Sequence, residues 1–426
     1  MSMIDIKTAK ISIIGLGYVG LPLAVEFGKK YQTIGFDINN RRIDALKRNK
    51  DHTNEISYDD LLEAKCLEFS SNPEVISDSN IYIVTVPTPI DGYNNPDLTA
   101  IKKASTLISN VLNRGDLVIY ESTVYPGLTD EICIPILEKS NLKLNKEFFC
   151  GYSPERINPG DKLHRLKDIV KVVSGSNLEA LNIIDELYSS IITAGTYRAK
   201  SIKVAEAAKV IENTQRDLNI ALVNELSMIF NKLDIDTAEV LDAASTKWNF
   251  NKYSPGLVGG HCIGVDPYYL TYKSEQMGHS PKIILSGRTV NSEMPAYVCS
   301  KLIESLKLIN KSPDESKVLI LGFTFKENCP DIRNTKVIDL YSELLKSSVL
   351  TDIYDPHVDL KEAKDNFGVN MLARLDKNEY DAVILAVPHK EFLELGSQYI
   401  KSLCSNKCIF FDLKGAFPIE QSHFRL

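Results

Sequence analysis

Residues 10–20 read Lys10-Ile11-Ser12-Ile13-Ile14-Gly15-Leu16-Gly17-Tyr18-Val19-Gly20. A short apolar run stops at a glycine, and three glycines follow at Gly-x-Gly-x-x-Gly spacing. An apolar-periodic segment then covers residues 18–29. Strand, tight turn and helix in that order are the setting in which such a loop binds a dinucleotide. Gly15 permits the turn, Gly17 lets the backbone reach a pyrophosphate, and Gly20 lets helix and strand pack closely. The unpaired N–H groups of the helix start then face the phosphates. Asp37 lies 22 residues beyond Gly15, at the end of a second strand, where a carboxylate would hold the adenosine ribose hydroxyls. A carboxylate there disfavours a 2′-phosphate, so NAD is expected rather than NADP, with Arg42 nearby as the one residue arguing the other way.

Working outward, strand and helix patterns alternate to about residue 196, with strands expected at 33–37, 81–86, 117–121 and 168–174. Such alternation gives an α/β fold with a doubly wound parallel sheet. Residues 200–233 contain neither proline nor glycine, and Ile202, Ala205, Ala208, Ile211, Leu218, Leu222, Leu226 and Ile229 recur at helical spacing. This reads as a long spine helix opening a helical middle, and a helix of that length usually packs on a partner, so a homodimer through it is expected. Alternation returns with strands at 317–321, 352–354, 382–387 and 409–412. The expected organisation is a Rossmann-like nucleotide domain over 1–198, a helical central domain over 199–312 and a second Rossmann-like domain over 313–426.

The 426 residues exceed what one core usually serves. A net charge of −7 argues against a nucleic-acid partner. No apolar run is long enough to span a membrane, and residues 1–7 lack a secretion core, so a cytoplasmic location is expected. Eight cysteines in this length do not make a disulfide framework. Cys404 and Cys408 read as packing or surface thiols, and no metal is expected.

Five further stretches carry chemistry. Val86-Pro87-Thr88-Pro89 and Glu121-Ser122-Thr123 each sit at the carboxyl end of an expected strand, the edge that lines a ligand crevice, although prolines also end strands and Ser or Thr also caps helices. Glu155 and Arg156 are either site residues or an exposed ion pair. Lys209 and Asn213 share one helix face, on which a solvated lysine is the bland account. Residues 258–268, Val258-Gly259-Gly260-His261-Cys262-Ile263-Gly264-Val265-Asp266-Pro267-Tyr268, place a cysteine behind paired glycines and four residues before an aspartate. Buried cysteines are commonly inert, but paired glycines cost entropy with no packing gain unless the chain approaches something closely or exposes the thiol.

These segments, with Gly322-Phe323-Thr324-Phe325-Lys326, occur in the order and spacing of the nucleotide-sugar dehydrogenases, the UDP-glucose/GDP-mannose dehydrogenase family, and the resemblance covers nearly the whole chain. The stretch 255–270 most resembles the branch that oxidises UDP-N-acetylglucosamine or UDP-N-acetylgalactosamine. UDP-glucose enzymes typically carry Pro-Lys-Asp where this chain has Gly264-Val265-Asp266. UDP-N-acetylmannosamine and UDP-glucose remain the alternative substrates. The resemblance implies a four-electron oxidation of the sugar's carbon-6 hydroxyl by two NAD, supplying precursors of a surface polysaccharide. Lys209, Asp266 and a water would handle the first proton, and Cys262 would form a thiohemiacetal and then a thioester. Glu155 would assist hydrolysis through a water ordered by Thr123 and Asn213. It further implies that Pro87, Thr88, Ser122, Thr123 and Arg333 contact NAD. Glu155, Arg156, Lys209, Asn213, Lys252, Tyr253, Gly256, Gly259, Gly260, Arg288 and Lys326 would contact the UDP-sugar. Two other readings stay open beside it: a two-electron dehydrogenase that needs no cysteine, and an NAD-binding sensor or scaffold without turnover.

Overall fold

The computed structural model describes residues 5–157, 164–376 and 379–426, with the side chains of 406 and 407 left aside. Residues 1–4, part of the stretch read for a secretion core, lie outside the described residues. The chain divides into two compact units, Met1–Glu212 with Tyr268–His279, and Asn213–Pro267 with Ser280–Leu426.

The first unit is built on eight strands: β1 (Lys10–Ile14), β2 (Gln32–Phe36), β3 (Leu67–Ser70), β4 (Ile81–Val84), β5 (Leu117–Tyr120), β6 (Phe149–Tyr152), β7 (Lys171–Gly175) and β8 (Thr196–Arg198). Their order is β3-β2-β1-β4-β5-β6-β7-β8, parallel throughout except where β7 runs against β6. Ile11, Ile13, Ile81, Ile83, Leu117 and Ile119 are wholly buried in one core, each worth about 1.5–3 kcal/mol over an exposed side chain. Strand order reverses between β1 and β4, and the crevice at such a switch point is where doubly wound sheets bind ligands. Gly15 and Thr85 stand there.

The second unit repeats the plan with β9 (Lys317–Leu321), β10 (Leu350–Tyr354), β11 (Tyr380–Leu385) and β12 (Cys404–Asp412), ordered β10-β9-β11-β12 and all parallel. Along β9, Val318 and Ile320 enter one core and Leu319 and Leu321 the other. Both faces are therefore covered, as near-continuous apolar strands require. The switch here lies between β9 and β11. Gly322 follows β9 at φ +93°, and a Cβ on it would sit 2.5 Å from Val387, just as one on Gly15 (φ +98°) would press on Thr85.

The spine helix runs Ile202–Lys232, within two residues of the expected span, and a second long helix covers Lys282–Leu308. Among the described residues no helix is long and apolar enough to cross a membrane. One reading is corrected: Cys404 and Cys408 are joined as a disulfide, with Cα atoms 5.1 Å apart, instead of standing as separate thiols. Both are carried on β12, and four residues of separation proved enough to bring the two sulfurs together.

Candidate active site

The nucleotide loop is fixed from three sides. Gly15 donates its N–H to Phe36 O (2.8 Å), and the Thr85 hydroxyl donates to Gly15 O (2.7 Å). A Cβ on Gly20 would lie 1.8 Å from Gly15 O, so no side chain fits there. Nothing lies within 4 Å of where a Cβ on Gly17 would point, which leaves the backbone open for a pyrophosphate. The Asp37 carboxylate accepts from Leu16 N (2.9 Å) and Asn39 N (2.8 Å), which places it at the loop rim. Arg42 donates to Leu16 O (2.9 Å) and pairs with the buried Asp51 (2.7 Å). Two of its nitrogens are thus committed to bracing the loop, which weakens the case for a 2′-phosphate. Tyr18 and Val19 complete the turn before the helix Gly20–Gly28.

At the next strand ends, Ser122 Oγ donates to Val86 O (2.6 Å) and Thr88 Oγ1 to Thr123 O (2.8 Å). These bonds stitch Pro87, Thr88, Ser122 and Thr123 into one rim. Glu155 and Arg156 do not pair with each other. Arg156 reaches Glu212 (2.9 Å) and Val170 O (2.9 Å). Glu155 turns inward, accepting from Arg156 N (2.6 Å) through one oxygen and from Lys171 Nζ (3.3 Å) through the other. Lys171 Nζ lies 2.6 Å from Glu121, which also accepts from Tyr188 OH. Burial pushes Glu121 up to about 7; Lys171 opposes that and the Glu155 charge adds to it. Burial works against charge on Lys171 too, but its two carboxylates more than offset this, and its pKa is raised. Lys171 and Tyr188 were not singled out from sequence. The available signal was a lysine inside the apolar run Ile169-Val170-Lys171-Val172-Val173. Lys209 is buried on the spine helix, contrary to the bland account of a solvated lysine.

In the second unit, the cysteine turn is seated by its glycines. A Cβ on Gly259 would lie 2.7 Å from Asn334 O, and one on Gly260 (φ +82°) 2.7 Å from the Phe325 ring. Asn334 grips Gly260 from both sides, its carbonyl accepting from Gly260 N (3.0 Å) and its side-chain amide donating to Gly260 O (2.7 Å). Cys262 is a half-buried thiol. Its carbonyl accepts from Asp266 N (2.8 Å), and the buried Asp266 carboxylate accepts from Asn213 Nδ2 (2.5 Å). By contrast Cys133 is wholly buried, and burial pushes its thiol up to about 12.

A small pocket opens at the β9/β11 switch, lined by Leu257, Gly259, Phe325, Lys326, Lys336 and Lys414 among others. Three lysines against the one carboxylate of Glu327 leave it cationic; only Lys326 was expected. Its loop is held from below by Asp355, which accepts from Phe323 N (2.6 Å), Thr324 N (3.0 Å) and the fully buried His389 (2.9 Å). Gly256 exchanges hydrogen bonds with Asn224 (2.8 and 3.1 Å), which Asn291 ties to Asp217. Arg288 is drawn into that buried network, 2.5 Å from Asp217. Arg333 is held by Asp331 (2.6 Å). Lys252 is exposed and pairs with Asp242, and Tyr253 beside it is half-buried.

Residues 9–192 match the NAD binding domain of the UDP-glucose/GDP-mannose dehydrogenase family, residues 203–293 its central domain and residues 319–418 its UDP binding domain. The chain belongs to that family. The dehydrogenase is 56% identical over 425 residues to a UDP-N-acetyl-D-glucosamine 6-dehydrogenase of Salmonella typhi, covering 100% of both chains. It is 53% identical over 406 residues to the protein CapL of Staphylococcus aureus, covering 95% of each. Among solved structures, a UDP-D-ManNAc dehydrogenase from Pyrococcus horikoshii superposes with TM-score 0.87 at 29% identity, covering 96% of each chain. The protein is an NAD-dependent nucleotide-sugar dehydrogenase, and its third family domain is the one that binds UDP.

Proposed function

We propose that the dehydrogenase oxidises the carbon-6 hydroxyl of UDP-N-acetylglucosamine to the uronic acid in two steps, through a thioester on Cys262. The observation that carries this reading is the half-buried Cys262 thiol on a glycine-seated turn, followed by the buried Asp266 carboxylate. A pure two-electron dehydrogenase has no use for that thiol. For the choice of sugar, 56% identity to an enzyme named for UDP-N-acetyl-D-glucosamine outweighs 29% to one named for the manno sugar.

NAD, when bound, supplies the hydride acceptor for both oxidations. Gly15, Gly17, Gly20 and Asp37 would hold it, with Thr88, Ser122 and Arg333 as further contacts. Asp266 takes up the hydroxyl proton through a water that Lys209 helps to order during the first oxidation, and the Lys209 ammonium steadies the developing oxyanion. Cys262 adds to the aldehyde, giving a thiohemiacetal whose carbon can surrender a second hydride. Water then opens the thioester with Glu155 as its base, and Asn213 and Thr123 orient that water. Lys326, Lys336 and Lys414 suit the diphosphate as charge-assisted donors. The products are the acid, the regenerated thiol and two reduced cofactors.

A homodimer through the spine helix is part of the same reading. Val204, Ile211, Leu222 and Ile229 stand partly exposed on it at intervals of 7, 11 and 7 residues, which forms one apolar stripe. A cytoplasmic enzyme feeding a surface polysaccharide fits a relative named CapL. A panel of UDP-sugars scored for NADH released per sugar consumed tests the central claim. Two NADH per UDP-N-acetylglucosamine is expected; one per sugar would overturn the thioester route.

A further inference from the structure

Four side chains from four elements meet inside the first unit. Glu121 follows β5, Glu155 follows β6, Lys171 opens β7 and Tyr188 belongs to the helix Leu178–Ser189. Each is under a tenth exposed. Lys171 Nζ stands 2.6 Å from Glu121 and 3.3 Å from Glu155, and 5.3 Å from the centre of the Tyr188 ring. A lysine buried in a core strand is costly, and simple packing would have been served by an apolar residue. One cation for two carboxylates also leaves the cluster short of positive charge. The shortfall falls on Glu155, whose Lys171 contact is the longer of the two. A carboxylate offers about four lone-pair sites, and Glu155 accepts from three donors, Arg156 N, Ile157 N and Lys171. That leaves room to accept from a water.

We propose that Lys171, anchored by Glu121 and Tyr188, is a positioning residue that holds Glu155 oriented to draw a proton from the water attacking the Cys262 thioester. This rests on the reading of Glu155 given above. In the step concerned the water oxygen bonds to the acyl carbon, the carbon–sulfur bond breaks, sulfur leaves as thiolate and the water proton passes to Glu155. Lys171 gives up nothing; it keeps the carboxylate still. As pH falls, Glu121 takes a proton first, since burial pushes it up to about 7. Lys171 then loses its charged anchor, and Glu155 is no longer held in the same place. The groups facing Glu121 are Lys171, Glu155 and Tyr188, so the acid limb of hydrolysis should follow this cluster.

The test measures the Cys262 adduct by intact mass in the presence of NAD and UDP-N-acetylglucosamine, together with kcat and KM from pH 5 to 9. Lys171→Met should accumulate thioester and lose about ten-fold or more in kcat, with KM within about two-fold, and Lys171→Arg should restore much of the rate. Tyr188→Phe keeps the ring but removes a donor to Glu121, and should move the acid limb up by about half a pH unit. If Lys171→Met does not fold, Lys171→Arg and Tyr188→Phe decide. Folded variants with wild-type adduct levels and an unmoved acid limb would overturn the proposal. Glu155→Gln separates the two readings. Slow hydrolysis there beside wild-type Lys171 and Tyr188 variants sinks only the positioning role; fast hydrolysis there sinks the assignment of Glu155 itself.

Discussion

Asn213 donates its side-chain amide to the Asp266 carboxylate across 2.5 Å, tying the spine helix to the residue whose own N–H closes the Cys262 turn. Both residues are buried, so the bond is made in a low dielectric where an unmet partner costs about 1–3 kcal/mol. Asp266→Asn keeps the shape and removes the charge. Its kcat should fall about 100-fold or more while KM for the UDP-sugar changes little, because what is lost acts on a proton in flight. Steady-state kinetics with both substrates varied would check this. A large rise in KM alone would assign Asp266 to binding instead.

Cys262→Ser replaces a thiol with a hydroxyl, which is far less acidic and a far weaker nucleophile. The variant should bind NAD and UDP-sugar with near-normal affinity by calorimetry and make no acid. The Gly259–Gly260 seat is left untouched by the exchange, so folding is expected to survive. Normal acid production by this variant would remove the covalent intermediate from the scheme.

Asp37 stands at the loop rim with one oxygen on Leu16 N and the other on Asn39 N, while Arg42 is engaged by Leu16 O and Asp51. Asp37→Ser should raise KM for NAD about ten-fold and narrow the preference over NADP, since it removes the repulsion of a 2′-phosphate without supplying a cation. Initial rates with each cofactor would settle it; an unchanged NAD to NADP ratio would show that Asp37 serves the loop and not selectivity.

Much of this was legible in the string and some was not. The central strands β1, β5 and β9 are apolar runs ended by a glycine or a polar residue, and hydropathy alone finds them. Strand β3 (Leu67–Ser70) is four residues at a sheet edge, and β8 (Thr196–Arg198) is three with two exposed, so neither carries an apolar run. The glycines around Cys262 pointed to a close approach, but not to what is approached. Asn334 and Phe325 lie more than sixty positions away in sequence. Lys171 was passed over for the same reason: its partners come from other strand ends, and a lysine read alone looks solvated. Asn334 holds φ at +52°, a left-handed conformation that asparagine tolerates but does not announce.

Asp116 offers a pH-dependent test of the first unit's stability. Burial pushes its carboxyl up to about 6, against one backbone hydrogen bond from Asn113 (2.7 Å). The folded pKa is above the unfolded value, so the folded state holds this proton more tightly. The penalty is therefore full above about pH 6 and fades as pH falls toward the ordinary carboxylate range. Asp116→Asn keeps an acceptor for Asn113 N and should stabilise by about 1–3 kcal/mol at pH 8, with little gain at pH 4. Urea midpoints at the two values would show it. Equal shifts at both would mean that charge burial is not the cause.

His389 shows how the lysine pocket keeps its shape. It is fully buried, takes the Asn328 N–H on Nδ1 (2.9 Å) and meets Asp355 through Nε2 (2.9 Å). Asp355 in turn holds Phe323 N and Thr324 N, and Thr324 Oγ1 donates to Lys326 O (2.9 Å). The chain of bonds ends at the loop carrying Phe325 and Lys326, although His389 itself does not line the pocket. His389→Ala removes one of the four donors to the buried Asp355 carboxylate and the acceptor of Asn328 N–H, at a cost of about 1–3 kcal/mol for the buried contact. The loop should loosen, raising KM for the UDP-sugar about ten-fold with kcat and NAD affinity nearly unchanged, and His389→Gln, which keeps a donor and an acceptor, should recover part of the loss. Calorimetric binding of UDP alone isolates the effect. Wild-type UDP affinity in a folded His389→Ala protein would show that the loop holds its place without this support.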